Sequence, residues 1–119
     1  MRHTHTDTEL LIENRYPKLV RDKIPEIVAK QGKKATIRIL SNDKEYLEYM
    51  LSKLIEEATE LAKAENTDNQ VEELADVMEV FESILKLQKL TLADIAKVQD
   101  QKREKRGGFK ERLLMVTKP

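Results

Sequence analysis

The sequence predicts a mainly α fold: an antiparallel helical hairpin plus a third helix, with minor short strands. Three observations carry this. Apolar residues recur at helical spacing in two long segments, about 43–65 and 70–89. A polar run, Asn66-Thr-Asp-Asn69, separates them. Thr91-x-x-Asp94 and Gly107-Gly108 then mark the start and stop of a third helix, to about Arg106.

The chain has 119 residues, which suit one domain over 15–119 behind a flexible tail, 1–14. In that tail His3 and His5 have the chemistry of metal ligands, but paired histidines in a polar terminus are an ordinary disordered feature. Tyr16–Pro25 reads as a basic, partly extended segment. Pro25 suits the first turn of a short helix, Pro25–Gln31, which Gly32 stops. Ala35–Leu40 alternates and is β-branched, so it predicts a short strand. The first long helix carries Leu47, Met50, Leu51, Leu54, Ile55, Ala58, Leu61 and Ala62 on an arc of roughly 140°. Asn69 with Glu72 resembles a capping box opening the second. That second helix holds Val71, Leu74, Ala75, Val77, Met78, Val80, Phe81, Ile84 and Leu85 over more than half its circumference. Such a helix is buried on two sides, against its hairpin partner and against another subunit. Phe109–Val116 reads as extended.

Hydrophobic residues make up 39% and charged residues 37%, so a core built from one copy is thin and oligomerisation is the usual remedy. The chain has no cysteine, no stretch near the roughly 20 apolar residues of a membrane span, and no signal-like apolar run at its start. Cytoplasmic placement is the expectation. Net charge is zero, which argues against a nucleic-acid polymer or a membrane surface as partner. The charge is nevertheless segregated. Residues 41–82 hold thirteen acids and three bases, and basic arms flank them on both sides. That layout suits joint binding of a cation and a polyanion; solvated helix faces are the plain alternative.

The acids have a pattern. Glu57 borders the apolar arc of the first helix, Glu60 lies further out on the same ridge, and Glu56 projects nearly opposite the core. Glu73 falls inside the apolar arc of the second helix and Asp76 at its edge. A lone buried carboxylate costs several kcal/mol unless paired or metal-bound. Positions 57 and 76, and likewise 60 and 73, are symmetric about the point between Asn66 and Thr67. A hairpin turning there sets Glu57 opposite Asp76 and Glu60 opposite Glu73. Four carboxylates at that range repel strongly without a cation. With no histidine or cysteine nearby, a hard ion is expected, Mg²⁺ or Mn²⁺. The alternative is that the acids pair with Lys53, Lys63 and other bases.

Glu56-Glu57-Ala-Thr-Glu60 followed by Glu73-Leu-Ala-Asp76 resembles the EExxE…ExxD motif of the all-α nucleoside triphosphate pyrophosphohydrolases, the MazG-like superfamily. Lys53-Leu-Ile-Glu-Glu57 extends the likeness upstream, and Lys105-Arg-Gly-Gly-Phe109 resembles an element near the C-terminus of its members. Lys18-Leu-Val-Arg-Asp-Lys-Ile-Pro25 is similar to the opening of the phosphoribosyl-ATP pyrophosphohydrolase-like branch. The resemblance implies four-helix-bundle layers formed through oligomerisation as a homodimer or homotetramer. It implies Mg²⁺ (Mn²⁺ possible) on Glu57, Glu60, Glu73 and Asp76. It also implies hydrolysis of a nucleoside triphosphate or phosphoribosyl nucleotide with release of pyrophosphate. Glu56 and Glu57 become the catalytic candidates; Glu56 orients or deprotonates water, or is a plain surface acid. Lys53, Arg21, Lys23, Lys102, Arg103, Lys105 and Arg106 become the candidate substrate-binding cations, with a Lys53–Glu57 salt bridge as the simpler role for the first. Tyr46, Tyr49 and Phe109 are candidates for base stacking, although core packing is the expectation for each. A competing reading is a non-catalytic helical oligomer that binds nucleotide or a protein partner.

Overall fold

A computed structural model describes residues 15–119; the tail with His3 and His5 lies outside them. The architecture is all helical. Helix α1 is Ile24–Lys30, α2 Asp43–Lys63, α3 Thr67–Leu87 and α4 Leu92–Arg106. Among the described residues there is no strand, and no helix is long and apolar enough to cross a membrane.

Each boundary has a local cause. Pro25 sits in the first turn of α1, and Gly32, at φ 77°, follows its end in a conformation few other residues adopt. Asn42 caps α2, its side chain accepting from the Glu45 N–H at 2.9 Å. Thr91 and Asp94 form the reciprocal capping box of α4. Gly107, at φ 79°, ends α4 with its N–H donating to the Arg103 carbonyl at 2.8 Å. The end of α3 is less conventional: Lys89 takes φ 58° while the Leu90 N–H reaches back to the Leu85 carbonyl at 2.9 Å.

The second long helix starts earlier than its sequence suggests. Asn66, not Asn69, is the cap, and its side chain accepts from the Asn69 N–H at 2.9 Å. Both asparagines offer the same acceptor, and the one nearer α2 acts first. The connection shrinks to 64–66, with Ala64 extended. Its midpoint is therefore about 65 and not between 66 and 67.

The expected short strand at Ala35–Leu40 is absent. Alternation makes a strand only where a neighbour completes the ladder. Here the segment runs as exposed irregular chain, with Ile39 89% exposed. Arg38 instead ties it to the first turn of α2, donating to both Glu45 carboxylate oxygens at 3.2 and 2.8 Å. Beyond α4, Phe109–Arg112 form a turn and Leu113–Val116 an exposed irregular arm, not an extended strand. Phe109 is 97% exposed, so the expectation that it packs in the core is corrected; Tyr46 and Tyr49 are half-buried on α2.

The hairpin of α2 and α3 is the extensive helix–helix packing among the described residues, and α4 does not pack along it. Buried and half-buried apolar residues mark its seam: Met50, Leu54 and Leu61 on α2, four and seven residues apart, and Val77, Val80 and Ile84 on α3, three and four apart. The apolar core is thin: Met50, Val80 and Leu85 are its buried members. The predicted apolar arc of α2 splits, since Leu51 and Ile55 face solvent together with Val71, Leu74 and Met78 of α3.

Candidate functional site

The seam contains two acids at positions its spacing assigns to apolar residues. Glu57 continues the row Met50, Leu54, Leu61 on α2, and Glu73 continues the row Val77, Val80, Ile84 on α3. Glu57 is 7% exposed, and Glu73 is half-buried. Glu73 and Asp76 lie less than one helical turn apart on α3, and both meet Glu57 of α2. One carboxylate oxygen from each of Glu57, Glu73 and Asp76 lies within 4.8 Å of the others. Glu56, Glu57 and Glu60 form a second such group. Glu57 belongs to both, so the four predicted ligands form one connected cluster. Glu60 joins it through Glu57, and its charge also acts on Glu73 across the hairpin.

The charges respond as crowding in a partly dry seam requires. Burial pushes the Glu57 carboxyl above the usual range; Lys53 opposes this, while Asp76, Glu60 and Glu56 add to it. Glu73 is also raised, first by desolvation, then by the Glu60 charge and by its hydrogen bond with Asp76.

Glu56 overturns its expected placement. It is 5% exposed, not directed away from the core. A helical wheel registers only the neighbours on its own helix. The cover here comes from the segment preceding α1, whose Lys18 Nζ lies 3.6 Å from Glu56 Oε2. Lys53 Nζ donates to the same oxygen at 3.2 Å and lies 3.6 Å from Glu57 Oε2. Lys53 thus bridges the two neighbouring acids, which includes the salt bridge to Glu57 that the spacing allowed. Arg21 Nη2 donates to Asp76 Oδ1 at 2.6 Å. Lys18 and Arg21, three residues apart, therefore anchor one segment to both helices of the hairpin. Lys18 also sits 5.0 Å from the centre of the Tyr16 ring, within cation–π range.

Of the predicted substrate-binding cations, Arg21 and Lys53 meet the carboxylates. Lys23 is exposed at the start of α1. Lys102, Arg103, Lys105 and Arg106 are exposed on α4, and Arg103 pairs with Asp100 at 2.9 Å. Since α4 does not lie along the hairpin, this chain does not bring them to the acids. Lys18 is the contact that sequence reasoning missed. Its signal was the Lys18-x-x-Arg21 spacing, which matches two acids on neighbouring helices only once the hairpin has formed.

Chemically, three converging carboxylate oxygens suit a hard divalent cation, because they supply anionic oxygen ligands without sulfur or imidazole. The Arg21 guanidinium on Asp76 is a cation already drawn to that set. The donor chemistry fits Mg²⁺ or Mn²⁺.

No family model matches the chain, and no solved structure matches it. An uncharacterized protein of Mycolicibacterium smegmatis (strain ATCC 700084 / mc(2)155) is 44% identical over 54 residues, covering 45% of this chain and 54% of that protein. The chain spans about half the length of that curated relative.

Proposed function

We propose that the chain is an Mg²⁺-dependent nucleotide pyrophosphohydrolase that works as a cytoplasmic homodimer or homotetramer. The observation that carries this reading is the meeting of the Glu57, Glu73 and Asp76 oxygens within 4.8 Å in an otherwise apolar seam. Burial and like charge both act against ionised carboxylates there, and a divalent ion offsets both.

Glu57, Glu73 and Asp76 would hold the ion, with Glu60 adjoining through Glu57. When bound, Mg²⁺ neutralises phosphate oxygens and makes water more acidic. The chain's own residues do the rest. Lys53, held between Glu56 and Glu57, presents an ammonium at the edge of the cluster for a phosphate oxygen. Glu56 lies outside the three-oxygen group of Glu57, Glu73 and Asp76, and two lysines fix it in place. It would orient or deprotonate the attacking water. Water adds to one phosphorus of the α–β anhydride, the P–O bond bridging those two phosphorus atoms breaks, the water's proton passes to base or solvent, and the products are pyrophosphate and the monophosphate. Lys102, Arg103 and Arg106 contribute only if a second copy brings them in.

The exposed apolar residues of the hairpin support oligomerisation, and pairing two hairpins would give the four-helix-bundle layer. The competing reading, a non-catalytic helical oligomer binding nucleotide or a protein partner, draws on the Arg21–Asp76 pair, which partly neutralises the acids without any metal.

A panel of nucleoside triphosphates and phosphoribosyl nucleotides, scored for pyrophosphate and monophosphate, tests the proposal. Mg²⁺-dependent release on at least one substrate is expected, lost on chelation and in Glu60→Gln and Asp76→Asn. Absence of turnover across the panel would leave the non-catalytic reading.

A further inference from the structure

Arg21 and Lys18 hold one short segment across the hairpin. Lys18 meets Glu56 on α2, and Arg21 meets Asp76 on α3. The two contacts differ in character. Glu56 is buried and shared with Lys53, whereas the Arg21 and Asp76 side chains are 56% and 35% exposed. The first is a fixed anchor. The second is open to water and made by a single guanidinium nitrogen, so it exchanges readily.

Asp76 also belongs to the three-oxygen group, and its Oδ1 accepts from Arg21 at 2.6 Å. A guanidinium this close draws on the same carboxylate charge that a divalent ion would, and the two cations repel one another. Arg21 and the ion therefore compete for Asp76. We infer that Arg21 is an exchangeable counter-ion: it occupies Asp76 in the metal-free protein and is released when a divalent cation binds. This rests on the metal reading proposed above and extends it. The released guanidinium stays tethered by Lys18, three residues away, at the rim of the cluster. There it can meet the polyanion that accompanies the metal, in the forked geometry arginine offers to phosphate. The pairing would keep the empty carboxylates partly neutralised and supply a phosphate donor only once the site is loaded.

Competition makes a definite prediction for metal affinity in the absence of substrate. Removing Arg21 removes a competitor, so Arg21→Gln should bind Mn²⁺ more tightly by about two- to fivefold, the range in which an exposed ion pair holds. Lys23→Gln removes the same charge two residues away without removing a partner of Asp76, and should leave the affinity close to that of the unaltered chain. The experiment is a Mn²⁺ titration of the full chain, followed by calorimetry or electron paramagnetic resonance, on the unaltered protein and both variants. A parallel Mg²⁺ titration of the unaltered chain follows the Arg21 side-chain Nε–H by NMR. That resonance should move from its ion-paired position as Mg²⁺ saturates. Equal tightening in both variants would mean a general charge effect and overturn the inference. So would an unchanged Kd in Arg21→Gln, or an Nε–H resonance that stays fixed through saturation. If the unaltered chain binds no Mn²⁺, the metal reading itself falls, and this inference with it.

Discussion

Glu57 concentrates the chemistry in one side chain. It sits in an apolar row, 7% exposed, and its carboxyl is pushed above the usual range first by burial and then by acids on both helices, against the pull of Lys53. Glu73, on α3, is raised for related reasons. A carboxyl raised on folding favours the protonated native state. Its contribution to stability is fully present below the ordinary carboxylate value of about 4.3 and is lost as pH rises through the raised value. Glu45 and Asp94 act the other way: both are lowered, by Arg38 and by Thr91 respectively, and their contributions fade as pH falls through their lowered values. Between neutrality and the ordinary carboxylate range, the metal-free protein should therefore melt at higher temperature as pH falls. Saturating Mg²⁺ should abolish or reverse that slope, because the ion binds the ionised carboxylates. At a hundredfold excess over its Kd the ion should add about 2.7 kcal/mol at neutral pH. Thermal melts at pH 5 and 7, with Mg²⁺ or with chelator, check this; a metal-free midpoint that climbs with pH contradicts it. The burial of Glu57 and the partial burial of Glu73 were legible in the apolar periodicity. That of Glu56 was not, since its cover comes from Lys18, 38 positions away in the sequence.

At the scale of the element, the connection between α2 and α3 decides which acids meet. Its cap at Asn66 rather than Asn69 lengthens α3, which starts at Thr67. The two candidate caps can be told apart. Asn66→Ala should cost about 1 kcal/mol in urea unfolding, the usual loss for a capping side chain. Asn69→Ala replaces a residue inside the first turn of α3 and should cost less than about half of that, or nothing. Mn²⁺ affinity should change little in either, because Glu73 lies two turns into the helix. A larger loss at Asn69 would restore the cap the spacing suggested. The same region shows what sequence can and cannot give. Four helices, their order and most of their ends follow from periodicity, Pro25, Gly32, the Thr91–Asp94 box and Gly107. Choosing between two asparagines three residues apart requires knowing how short a connection the packed hairpin tolerates. Ala35–Leu40 fails differently: its alternation is real, but a strand depends on a partner that no residue in the described chain provides.

At the scale of the molecule, the apolar residues are distributed as for a larger assembly. Three are buried, while Leu51, Ile55, Val71, Leu74 and Met78 stand exposed on the two helices that pack best. On α2 the spacing is four residues, and on α3 it is three and four, so each helix presents a second apolar stripe away from the seam. This is the two-sided pattern read from the sequence of the second long helix, now with one side filled. Fully burying a single Leu or Met side chain is worth about 1.5–3 kcal/mol. Five such residues meeting five more across a two-fold axis would outweigh an association cost of several kcal/mol. The unaltered chain should therefore run as a dimer or tetramer in light scattering coupled to size exclusion, with a melting temperature that rises with protein concentration. Replacing Leu74 and Met78 together by Glu places charge in both halves of such an interface. It should give a monomer with a lower, concentration-independent midpoint, because the single-copy core of Met50, Val80 and Leu85 is all that remains. Glu79→Ala, on the same helix but polar and exposed, should leave the mass unchanged. A chain that is monomeric before any substitution would show that the stripes are covered by something other than a second copy, and would remove the means by which α4 cations could reach the carboxylates.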